Sequence, residues 1–159
     1  MNQTETSVKI VLDRWDASIK NLDALLNNLS DATLLREIVP GKNRGIYLIG
    51  HLIAVHDDML RLLDMGDKQY PELFEPFIKT PDNVNTTMPS ITDLRKMVNE
   101  QSVYLKQKFD KLSANDWYEK HTAVTTEEFN SEPHRNKLNI IVTRTSHLQY
   151  HLGQLQLLK

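Results

Sequence analysis

The sequence predicts an all-α protein: a four-helix bundle with a long connection between its second and third helices. Three observations carry that reading. Four separate segments place apolar residues at spacings of three and four, which matches one face of a helix and no strand. The helix breakers gather between the second and third of these segments, where Pro71, Pro76, Pro81, Pro89 and Gly66 all fall within residues 64–90. The chain has 159 residues, 40% apolar and 25% charged, as expected of one globular domain spanning residues 1–159.

The first helix is expected over residues 6–29, where Val8, Leu12, Trp15, Ile19, Leu22, Leu26 and Leu29 form a core stripe. The second covers about residues 43–63 and contains IYLIGHLIAVHDDMLRLL. The link that follows is too long for a helical hairpin. It can run the length of a bundle and start the third helix parallel to the second. Its aromatics Tyr70, Phe74 and Phe77 are expected to pin it to the bundle. The third helix opens at PSITDLRKM, with Ser90 as N-cap and Asp93 as the acidic third position. Its stripe is Ile91, Leu94, Val98, Leu105, Phe109 and Leu112, and the fourth helix covers about residues 136–158. A faint repeat runs through this layout. LSDATLL (29–35) and LSANDWY (112–118) each precede a loop and a histidine-bearing helix. A true repeat would set the two histidine helices side by side about a pseudo-twofold.

Composition narrows the function. The formal net charge is −2, with Lys and Arg dispersed among Asp and Glu, so no electrostatic surface for nucleic acid or membrane is indicated. No apolar run reaches membrane-spanning length. The first residues, MNQTETS, hold no signal-peptide core, and a cytoplasmic setting is expected. The chain has no cysteine, which excludes disulfides, thiolate ligands and a cysteine nucleophile. Any metal must be held by nitrogen and oxygen.

The candidate chemistry lies in histidines. His147 and His151, in SHLQYHLGQL, are four residues apart and share one face of a helix. Imidazole nitrogen is a common ligand for divalent transition metals, and a third ligand must come from elsewhere. His51 is the best placed, mid-helix in the apolar run 46–55. His56 falls about 140° round the same helix from His51 and is expected outside the site. His121 and His134 lie in a polar link and are expected to be solvated. The blander alternative is an imidazole pair held by hydrogen bonds alone.

The segments IYLIGHLIAVHDDML and SHLQYHLGQLQLL resemble the two signature regions of the DinB/YfiT-like superfamily. The resemblance extends over most of the chain and implies an up-down-down-up bundle, often dimeric. It also implies one divalent metal bound by the matching histidines, His51, His147 and His151. Zinc or nickel is expected first, with iron, cobalt or manganese as alternatives. Three histidines leave a coordination position open, as catalytic sites do. Some relatives are metal-dependent transferases that use low-molecular-weight thiols such as bacillithiol or mycothiol. Others resemble hydrolases or isomerases.

Arg144, Tyr47 and Asp58 share the faces of these histidines and are candidates for substrate or acid–base roles, each against a plainer structural reading. Gln154 is placed to orient a ligand histidine, and Gly153 to let a neighbouring helix approach. The first functional reading is a metal-dependent enzyme acting on a small molecule, either a thiol-dependent transferase or a hydrolase. Its rivals are a non-catalytic, stress-related protein that binds metal or a small ligand, and a dimeric bundle whose histidines satisfy one another.

Overall fold

The computed structural model describes residues 1–84 and 87–159. Residues 85 and 86 of the long link lie outside that description. Among the described residues every regular element is a helix or helical turn, and the only ladder contacts are the isolated bridges Glu37–Arg44 and Lys120–Asn136. Among the described residues no helix is long and apolar enough to cross a membrane.

Helix α1 (Gln3–Asn28) starts at a capping box in which Asn2 and Glu5 satisfy each other's backbone N–H. Its stripe lies as the spacing predicts, with Trp15, Leu22 and Leu26 buried and Leu12 and Ile19 packed at the margin. The Leu29-Ser30 pair ends α1 and caps a short helix, α2 (Asp31–Leu34), through Ser30 Oγ accepting from Thr33 N. The matching LSANDWY behaves similarly: Ser113 and Asp116 exchange hydrogen bonds ahead of a 3-10 turn, Asp116–Tyr118. The echo in the sequence is therefore a shared local capping device.

Helix α3 (Gly45–Leu62) is buried on nearly all sides, as an apolar helix must be. Gln101, on α4 (Ile91–Phe109), donates to its Ile53 carbonyl at 3.0 Å. Helix α4 begins at Ser90, whose hydroxyl accepts from Asp93 N as expected. Its guanidinium at Arg95 reaches the carbonyls of Leu26 and Leu29 and so satisfies the open end of α1. Helix α6 (Lys137–Gln156), capped by Asn136, packs on both α1 and α3, while α4 packs against α3 and α1.

The links diverge more from expectation. Phe77 does pin the 64–90 link, fully buried within a π-helical turn (Glu75–Lys79), whereas Phe74 stays exposed between Lys68 and Lys79. The polar link before α6 holds an unforeseen helix, α5 (Thr126–Ser131), opened by a Thr125–Glu128 capping box. Thr122 hydrogen-bonds the Leu62 and Arg61 carbonyls through its backbone and hydroxyl. That pulls His121 in, only 9% exposed, where a solvated ring was expected. Gly153 also departs from its expected role: a Cβ there would meet nothing within 4 Å. It lies two residues past buried His151, on the outer side of α6.

Candidate metal centre

Helices α3 and α6 bring three imidazoles together. His147 and His151 project from one face of α6, one turn apart, and His51 meets them from α3. His147 Nε2 lies 3.2 Å from His51 Nε2 and 3.0 Å from His151 Nε2. The three ligand atoms fall within 4.8 Å of one another. His151 is buried, while His51 and His147 are half-buried and leave an open side.

The outer nitrogens fix the rings. His51 Nδ1 lies 2.8 Å from the Phe77 carbonyl, which only accepts, so Nδ1 carries the proton and Nε2 offers its lone pair. The same holds for His151, whose Nδ1 donates to Gln154 Oε1 at 2.7 Å; Gln154 Nε2 donates in turn to the Tyr150 hydroxyl at 3.1 Å. His147 Nδ1 is buried with no hydrogen-bond partner among the described residues.

This donor set fits a divalent cation. Two nitrogens point lone pairs at the same spot, and His147 can bridge one of them with a proton but not both. A cation at the centre satisfies all three. Nitrogens about 2.0–2.1 Å from one metal stand roughly 3.0 Å apart on an octahedral face and roughly 3.4 Å apart in a tetrahedron. The observed 3.0 and 3.2 Å edges lie in that range. Burial, with His151, His51 and Arg144 adding to it, pushes His147 down to about 4, so the ring stays neutral and available near neutral pH. Burial likewise lowers His151, against the opposing hydrogen bond to Gln154.

The remaining candidates fall at different distances from this centre. Tyr47 stacks along His51, ring centroids 6.4 Å apart, but its hydroxyl is engaged by the Thr80 carbonyl at 2.9 Å. Asp58 pairs with Lys68 at 2.9 Å and makes no contact with the imidazoles. It sits two turns beyond His51, about 10 Å along the helix, and the proton considered for it goes to Phe77 instead. Arg144 is half-buried and forms no ion pair or hydrogen bond among the described residues. His56 stays outside the cluster, as its position round α3 predicts. It is wholly buried edge-on to Trp15, ring centroids 4.9 Å apart, and burial pushes it down to about 3. His134 is exposed.

Sequence reasoning missed the Phe77 carbonyl. The signal was Gly50, immediately before His51. A Cβ at Gly50 would run into the Phe77 ring, so the absent side chain admits that ring and brings its carbonyl to His51.

A helical chain whose second and last long helices deliver three histidines to one point has the outline expected from its two signature segments. The family model of the DinB superfamily matches residues 14–155, and the chain belongs to that superfamily. No curated protein matches it.

Proposed function

We propose that His51, His147 and His151 hold one divalent metal, zinc or nickel first, at the centre of a small-molecule enzyme, and that its reaction is transfer to or from a low-molecular-weight thiol. The observation that carries this reading is the convergence of three Nε2 atoms, two of them with the Nδ1 proton held on the far side by Phe77 and Gln154. When bound, the metal would act as a Lewis acid and lower the pKa of a group at its open position. The chain itself orients His51 and His151 through their outer hydrogen bonds and keeps His147 neutral by burial.

The choice of a thiol rests on what surrounds the rings. Among the described residues no carboxylate makes a hydrogen bond or ion pair with any of the three. A site without its own base suits a nucleophile that ionises easily. A thiol, near pKa 8.5, gives up its proton about seven orders of magnitude more readily than water. Hydrolysis, which must deprotonate water, is the less favoured enzymatic reading. The same lack of a base also favours the non-catalytic alternative, a metal-binding protein without turnover.

The scaffold is proposed to be one domain, an up-down-down-up bundle. His51 meets His147 and His151 while Gly45 faces Leu158, which supports α3 running opposite to α6. Arg95, at the start of α4, caps the end of α1, and Lys106 faces Asp16, which supports α4 running opposite to α1. Ser18 meets Gln149, and Asn28 and Gln156 line the same groove further on, which supports α1 and α6 running together. A cytoplasmic homodimer remains the proposed setting.

Elemental analysis of untagged protein tests the site: about one equivalent of metal is expected, falling sharply in H51A, H147A and H151A but not in H134A. Turnover of electrophiles with a panel of thiols then separates enzyme from binder. Metal uptake undiminished by H51A would overturn the ligand set.

A further inference from the structure

One cation at this site has no counter-charge. Arg144 lies three residues before His147 and seven before His151 on α6, so the three share one face. Its Nε is shielded from solvent and has no hydrogen-bond acceptor, and none of its nitrogens pairs with a carboxylate among the described residues. The other shielded cations are matched: Arg44 to Asp82, Lys68 to Asp58, Arg95 to Asp31, Arg135 to Glu128, Lys137 to Glu119, and Lys108 to the face of Tyr104. A buried donor without a partner is costly, and more so when it is charged. Here it is left open beside two rings, His147 and His56, that feel its charge.

We propose that Arg144 is the carboxylate-recognising residue of the site and binds the anionic group of the substrate that reacts at the three-histidine centre. This rests on the metal-centre reading above. Three neutral imidazoles and a divalent cation beside a guanidinium make a strongly positive pocket that calls for an anion. A carboxylate matches the guanidinium in charge and shape, since its two oxygens accept two parallel N–H groups, one of them the open Nε–H. The half-exposed position of Arg144 lets such a group enter from solvent while its Nε end stays dry.

The test compares two small thiols on zinc-loaded protein by calorimetry, mercaptoacetate and 2-mercaptoethanol. They share the thiol and differ in the carboxylate. The wild-type protein should bind mercaptoacetate about 10- to 100-fold more tightly. R144Q should lose that preference while keeping its affinity for 2-mercaptoethanol, which also shows that the variant is folded and loaded; R144K should retain part of it. A preference unchanged in R144Q, or none in the wild type, overturns the proposal. Zinc that fails to bind overturns the metal-centre reading instead. In that event acetate added to the metal-free protein decides the matter: a saturable shift of the Arg144 Nε–Hε NMR signal supports the carboxylate site, and a static signal removes it.

Discussion

His147 carries the least committed imidazole of the three. His51 and His151 each have an outer acceptor, and His147 has none. Orientation of the cluster therefore depends on Phe77 and Gln154. Q154L is expected to lower zinc affinity about 10- to 100-fold, in line with the loss of an outer hydrogen bond to a ligand histidine. Competition with a chromogenic chelator measures it, and an unchanged affinity would make Gln154 a bystander. His56 supplies a separate test, on the metal-free protein. Folded His56 stays neutral down to about pH 3, whereas in the unfolded chain it takes a proton below about 6.5. Between those values the unfolded state binds more protons, so the contribution is intact above pH 6.5 and is lost as pH falls toward 3. The limiting slope is about 1.4 kcal/mol per pH unit for this one ring. Urea unfolding of wild type and H56L between pH 7 and pH 4 should show a flatter profile for the variant.

Among the elements, α3 is the most enclosed, packed by α4, α6 and the link. Its glycine at position 50 couples packing to chemistry. G50A places a methyl group against the fully buried Phe77 ring, and overpacking of that kind costs about 1–3 kcal/mol. The displaced ring should carry its carbonyl away from His51. Lower stability in urea together with weaker zinc binding is the expected pair of results. Lower stability with zinc affinity intact would show that His51 does not need Phe77.

At the scale of the molecule, folding and the proposed metal binding are linked, because the centre joins residues 96 positions apart, on α3 and α6. Zinc should raise the Tm of the chelator-treated protein at pH 7.5. The rise should hold until pH approaches about 4, where a proton half-occupies His147, and shrink below it as protons displace the metal. Scanning calorimetry with and without zinc between pH 7.5 and pH 3 checks the sign; an equal shift at pH 3 would place the metal elsewhere. The proposed dimer has a plain test in light scattering at micromolar concentration, where twice the 18.4 kDa chain mass is expected. Tyr150 and Leu157, both more than half exposed on or just beyond α6, are apolar surface that a second copy would cover.

The sequence by itself determined the four long helices and the histidine pair on the last of them. Spacings of three and four fix which residues of α1 and α4 turn inward, and an i,i+4 pair must share a face, because both follow from helix geometry alone. It also separated His56 from His51 by angle. Only the tertiary structure decided what each side chain meets. Asp58 shares a face with His51, yet its partner is Lys68, since a helical wheel omits distance along the axis. His121 reads as a loop residue, yet contacts between Thr122 and the end of α3 bury it. The partner of His51 is a backbone carbonyl 26 residues away, and a main-chain oxygen carries no sequence signature of its own. Its trace in the chain is the glycine that makes room for Phe77. Arg144 was legible as a cation on the histidine face, but its lack of a counter-charge became visible only when every carboxylate had a place.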